Sequence, residues 1–94
     1  MRRLNSNESW GYEMISSVNE RVKVLALFDE EGIKPLRFQW RGMTYPVKQI
    51  TFSWKERKGG GPAYRFAVSD GANVFQLTYN SEYLQWKVEA VDLH

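Results

Sequence analysis

From Glu20 to the end of the chain, apolar and polar residues alternate with a period of two, and that period is the signature of strands. In IKPLRFQWRG, Leu36, Phe38 and Trp40 fall on one side, with Arg37, Gln39 and Arg41 on the other. AYRFAV aligns Tyr64, Phe66 and Val68, and VFQLTY aligns Phe75, Leu77 and Tyr79. LQWKVEAV sets Leu84, Trp86, Val88 and Ala90 against Gln85, Lys87 and Glu89, and ERVKVLALF at 20–28 is rich in β-branched and apolar residues. Turn signals separate the runs: Asp29 to Gly32, Arg41-Gly42, KGGGP at 58–62, SDGAN at 69–73 and NSEY at 80–83.

One run breaks its own phase. In MTYPVKQITFSWKER, Tyr45 and Val47 share one parity while Ile50, Phe52 and Trp54 share the other. A strand cannot change faces without an extra residue, so a bulge or bend is expected near Lys48-Gln49, and it would curl the sheet as a small barrel requires. The expected fold is all-β: a small antiparallel meander of about six strands over residues 20–94, curled or closed into a barrel that shields its edges. Residues 1–19 read as a leader, flexible or carrying a short helix through Tyr12, Ile15 and Val18, with residues 1 to about 8 expected to be mobile. Alternation assigns Val24, Leu36, Phe38, Trp40, Ile50, Phe52, Trp54, Phe66, Val68, Leu77, Trp86 and Val88 to the core.

A chain of 94 residues makes one domain and buries roughly 60–65% of its unfolded surface, so its core depends on large side chains. Four Trp, five Tyr and five Phe supply them. The absence of cysteine excludes disulfides, thiolate metal sites and a cysteine nucleophile. His94 is the only histidine and the last residue, so no Ser-His-Asp arrangement can be assembled. Asp29, Glu30 and Glu31 read as a solvated turn ended by Gly32. Gly59, Gly60 and Gly61 lack the Lys-Ser/Thr pair and the helix that a phosphate-binding loop needs. No enzyme activity, cofactor or metal is expected. The start, MRRLNSNESWGYEM, lacks the apolar stretch of a signal peptide, no run approaches the ~20 apolar residues of a membrane span, and a cytoplasmic location is expected.

Charge is polarised along the chain. From Ile33 to Arg65 there are eight basic residues and one acid, a net +7, while the remainder holds five basic and ten acidic residues. Arg37, Arg41, Lys48, Lys55, Arg57, Lys58 and Arg65 are the candidate phosphate contacts, interleaved with Phe38, Trp40, Tyr45, Phe52, Trp54 and Tyr64. Alternation turns Phe38, Trp40, Phe52 and Trp54 inward, leaving Tyr45 and Tyr64 less settled. Two readings follow. The first is a non-enzymatic accessory module binding single-stranded nucleic acid through a basic face. The second is a protein-interaction module acting through a strand edge or an aromatic patch, a homodimer among its forms. One contiguous cationic face favours the first, and scattered or acid-paired cations favour the second.

The stretch LFDEEGIKPLRFQWRGMTYPVKQITFSW, residues 27–54, resembles a bacterial family of short β-rich proteins of unknown function. The matching positions are Pro35, Arg37, Phe38, Trp40, Arg41, Gly42, Tyr45, Val47 and Trp54, and AYRFAVSDGANVFQLTY with LQWKVEAV resembles that family's closing half. The resemblance covers about residues 20–92, and the long glycine-rich loop at 58–62 departs from it. Members are similar to a segment found beside, or at the end of, Y-family polymerase-like mutagenesis proteins. The resemblance therefore implies a DNA-repair accessory role with a nucleic-acid or repair-protein partner, and it carries over no catalytic residue.

Overall fold

The alternating runs fold as seven strands, each antiparallel to its neighbours: β1 (Ile15–Asp29), β2 (Gly32–Trp40), β3 (Met43–Pro46), β4 (Gln49–Lys58), β5 (Gly61–Ser69), β6 (Val74–Asn80) and β7 (Gln85–Asp92). The structure is a computed structural model and describes residues 15–58 and 60–92, the side chains of residues 15 and 58 excepted. The strands form one sheet in the order β3-β2-β1-β7-β6-β5-β4, curled into a half-barrel. No helix among the described residues is long and apolar enough to cross a membrane.

The expected bend is where the phase slip put it. The run from Met43 to Lys58 is interrupted at Val47 and Lys48, which divides it into β3 and β4 and makes seven strands of the six runs. These consecutive strands are the two outermost of the sheet. Val47 N donates to Leu36 O of β2 (2.9 Å), and the next amide, Lys48 N, donates to Ser69 O of β5 (2.8 Å). Two neighbouring residues thus hand the chain from one end of the sheet to the other and draw the ends together.

Strand pairing begins at Ile15, five residues before the expected boundary. Ile15, Ser16 and Ser17 pair with Asp92, Val91 and Ala90 of β7, so Ile15 and Val18 lie in a strand and form no helical turn. Their three-residue spacing was a weak helical signal, and the ladder with β7 overrides it. A register shift between Ser17 and Glu20, with Asn19 at φ 55°, separates this start from the regular part of β1. Tyr12 and the mobility expected of residues 1–8 lie outside the described residues.

Two turns show the local chemistry. Gly32, at φ 125°, closes the acidic turn after Asp29, whose Oδ1 accepts from Glu31 N (2.9 Å). Arg41 and Gly42, at φ 53° and 79°, form the two-residue loop between Trp40 and Met43, a geometry with both residues left-handed.

The core lies between the two halves of the curl. Phe38, Phe66, Val68, Phe75, Leu77, Tyr79, Trp86, Val88 and Val91 are buried. Phe75 of β6 meets rings of β2 and β3, strands on the far side of the sheet order: Phe38 at 5.0 Å, Tyr45 at 5.1 Å and Trp40 at 6.2 Å. Such contacts arise only because the sheet curls.

Three residues assigned inward by alternation lie outside it, for one reason. In β2, Leu25 faces Arg37 and Ala26 faces Pro35, so Leu36 is the extra residue of a bulge; it is 43% exposed, and Pro35 is buried in its place. In β4, Ile50 faces Val68 and Phe52 faces Ala67, so Thr51 is the extra residue and the phase flips again. Ser53 and Lys55 then lie opposite Phe66 and Tyr64 on the concave face, while Phe52 and Trp54 lie opposite Ala67 and Arg65 on the outer face. Phe52 is 62% exposed and packs on Trp54, ring centroids 5.1 Å apart.

Truncating the ring that joins the two halves should be costly, and truncating the bulged leucine should not. Phe75→Ala is expected to lower stability by about 3–5 kcal/mol, and Leu36→Ala by less than about 1 kcal/mol. Urea unfolding of the two variants checks both, and equal losses would place Leu36 in the core.

Candidate functional site

The seven candidate cations do not form one cluster. Arg37 is exposed on the outer face of β2, opposite Pro46 and Leu25. Arg41 sits in the β2–β3 turn. Lys48 is in the link between β3 and β4, exposed, beside Gly71. It faces Asp70, whose carboxyl is held below the usual aspartate range first by the Asn73 N–H, then by Ala72 N–H and the Lys48 charge. Lys55 and Arg57 lie on the concave side of the outermost strand β4, with Lys55 Nζ 5.8 Å from the Tyr64 ring centroid. The Lys58 side chain is outside the described residues, and its backbone faces Gly61.

Arg65 leaves the candidate set. Its side chain is 12% exposed on the outer face, held between the carboxylates of Glu56 and Glu89. Thr78 Oγ1 (3.4 Å) accepts from Arg65 Nη1, and Gln76 Nε2 donates to Glu89 (3.2 Å). The Arg65 Nε–H, although beside Glu56, has no aligned acceptor. A cation enclosed by two carboxylates has little field left for a ligand, and removing either partner would leave buried charge uncompensated.

Arg41 is also tied. Its Nη2 and Nε donate to Glu20 (2.6 and 3.1 Å), its guanidinium lies 4.6 Å from the Trp40 ring centroid, and Trp40 Nε1 donates to the same carboxylate (2.8 Å). These bonds tether a side chain whose backbone is left-handed, a conformation that is uncommon for arginine. The Glu20 carboxyl is held below the usual glutamate range, first by the Arg41 hydrogen bond and then by that of Trp40.

A different set of cations does come together. On the outer face, Lys87 of β7 stands directly opposite Arg21 of β1. Lys23 follows two residues along β1, about 6.7 Å away, and β2 adds Arg37 opposite Leu25 and Lys34 opposite Leu27. None of these five forms an ion pair among the described residues. Leu25, Leu27 and Leu36, each close to half exposed, lie between them. Three shallow depressions of about 300, 430 and 360 Å³ share Lys23 in their lining and bring in Arg21, Arg37 and Arg41. The result is a cationic track along the outer face of β7, β1 and β2, with Lys87 and Lys34 placed at its ends by strand register.

Arg21, Lys23, Lys34 and Lys87 were not among the candidate contacts read from sequence. The outward parity of Arg21, Lys23 and Lys87 was legible, since Val22 and Val24 alternate with the first two and Trp86 and Val88 flank the third. What sequence did not show is that β1 pairs with β7, which brings residues 21–23 next to residue 87. Among the described residues no group of three His, Asp or Glu side chains could hold a metal ion. Comparison with known protein families, curated proteins and solved structures finds no match for this chain.

The Glu20 carboxylate supplies the pH-dependent element of this end of the sheet. Because its folded pKa is depressed, its stabilisation is present above the ordinary glutamate pKa and is lost as pH falls through the lowered folded value. An NMR titration of the Glu20 carboxyl should give a midpoint below that of an unperturbed glutamate. Arg41→Gln should move the midpoint back towards the ordinary value; a midpoint unchanged by that substitution would mean that Arg41 is not its partner in solution.

Proposed function

We propose that this protein is a non-enzymatic accessory module that binds single-stranded nucleic acid along the outer face of β7, β1 and β2. The carrying observation is the track of five exposed or half-exposed cations, Lys87, Arg21, Lys23, Arg37 and Lys34, without carboxylate partners among the described residues. Lys87 directly opposite Arg21 is a like-charge cross-strand pair, which by itself destabilises a sheet. A polyanion turns that repulsion into attraction on both sides. The shallow track can follow a sugar-phosphate backbone, and the apolar leucines between the cations offer contact to unpaired bases. The DNA-repair accessory role that the sequence resemblance implies would call for a ligand of the same class.

This reading keeps Arg37 from the sequence-based set and replaces most of the rest. Arg41 borders the track but its charge is shared with Glu20. Lys55 and Arg57, on the concave side of β4, belong to a different surface.

Titration of a labelled single-stranded oligonucleotide at several salt concentrations tests the proposal. Log affinity is expected to fall linearly with log salt, with a slope of roughly −0.7 per phosphate neutralised. Changing Arg21, Lys23 and Arg37 together to Gln should flatten the slope by about 2 if each neutralises one phosphate, and should leave the melt nearly unchanged. Lys55→Gln with Arg57→Gln should leave the slope as it was. Absence of binding at low salt would falsify the nucleic-acid reading, and equal effects of the two variants would reject the outer track as its site.

A further inference from the structure

We propose that β4 is a self-association edge, through which two copies of this chain pair antiparallel about a two-fold axis at Ser53. The sheet ends in two strands, and they are protected unequally. β3 has four residues and ends on Pro46. The distal half of β4 reads Lys55-Glu56-Arg57-Lys58, a charged edge of the kind that discourages pairing. The proximal half, Gln49-Ile50-Thr51-Phe52-Ser53-Trp54, has no charge and no proline, and no strand pairs with its outer edge among the described residues. On its outer face stand Phe52, 62% exposed, and Trp54, in ring contact with each other.

The sequence of β4 selects the second copy as occupant and sets the register. A two-fold axis perpendicular to the sheet keeps outer face beside outer face, so facing residues share parity. Centring at residue 55, 56 or 57 would oppose Lys55 to itself, Lys55 to Arg57, or Arg57 to itself. Centring at 54 would set Phe52 against Glu56, whose carboxylate is already engaged by Arg65. Centring at Ser53 opposes Phe52 to Trp54 of the partner subunit, in both directions. It leaves Lys55 facing the bulged Thr51, and the pairing ends there because the bulge turns Ile50 and Gln49 to the faces opposite those of Glu56 and Arg57, so no cation meets a cation. Four rings then share one face, the arrangement that favours cross-strand pairing. The bulge at Thr51 lies at the flank of the paired segment, and its side chain is directed back to Ala67 O (3.1 Å). So short a contact belongs with the smallest interfaces, and a micromolar equilibrium is expected.

The absence of cysteine gives a direct test. In the proposed register Ser53 faces itself, with Cα atoms about 4.5–5.5 Å apart, within disulfide reach. Ser53→Cys should form a covalent dimer on mild oxidation, whereas Arg57→Cys should not. By sedimentation the native chain should show a concentration-dependent monomer–dimer equilibrium. Phe52→Lys should weaken it about tenfold or more while leaving the melt of the monomer unchanged. A native chain that stays monomeric into the high-micromolar range, a Ser53→Cys variant that does not cross-link, or an association indifferent to Phe52→Lys would each overturn the proposal. So would a Phe52→Lys variant of unchanged mass that loses oligonucleotide binding, since the ring pair would then belong to the nucleic-acid surface.

Discussion

Two backbone hydrogen bonds at successive residues, Val47 to Leu36 and Lys48 to Ser69, determine the shape on which everything else depends. A seven-stranded sheet with free ends would splay, and its inner face would lie in water. Here the chain itself passes from one end of the sheet to the other. The acceptor for Val47 is the carbonyl of the residue that the β2 bulge takes out of the ladder. The bulge therefore does two things: it bends the strand, and it frees a carbonyl for the link to use. Once the ends are drawn together, Phe38, Trp40 and Tyr45 come within ring contact of Phe75, and the curl closes over an aromatic core.

Period-two alternation made the strands legible, and the parity change across Tyr45–Ile50 put a bend near Lys48-Gln49, within a residue of the break at Val47-Lys48. Phe38, Phe66, Val68, Leu77, Trp86 and Val88 were identified as core from the same pattern, and all are buried. Leu36, Phe52 and Trp54 were misplaced because a bulge is one residue long and leaves apolar letters on both sides of it. IKPLRFQW reads as unbroken alternation at Leu36, Phe38 and Trp40, yet the inward set is Pro35, Phe38 and Trp40. Partnership was the larger loss. Arg65 and Arg37 look alike in sequence, but Glu56 and Glu89 reach Arg65 only after β4, β5, β6 and β7 are set side by side. The same long-range pairing assembles Lys87 with Arg21, residues separated by nearly the whole described chain.

The cations divide by the acids they can reach. Arg41 and Arg65 are bound by carboxylates across strands, so their charge is largely committed to the fold. The track on β7, β1 and β2 has no such partners among the described residues. A sheet gains nothing from Lys87 beside Arg21, and their separation is fixed by the ladder, so neither backbone can move away to relieve the repulsion. An anion at the outer face is the one partner that lowers the energy of the whole track at once. The proposed ligand class rests on that asymmetry between committed and uncommitted charge more than on the net charge of +2.

The edge and the track are connected through the symmetry of the sheet. In the proposed dimer a two-fold axis perpendicular to the sheet at β4 keeps the outer faces of the two β4 strands on one side, so the convex faces of both copies, each with its cationic track, form one continuous sheet surface. In the sheet order four strand spacings separate β1 from β4. Nine spacings of about 4.8 Å therefore lie between the two copies of β1, roughly 43 Å measured along the sheet. A short oligonucleotide reaches one track, whereas a strand long enough to cross the ring cluster reaches both, and its second contact is then intramolecular. Affinity for long strands should consequently exceed that for short ones by more than the added number of sites, and Phe52→Lys should remove the excess without changing the short-strand affinity. A length dependence identical in the native chain and in Phe52→Lys would mean that the two surfaces act independently.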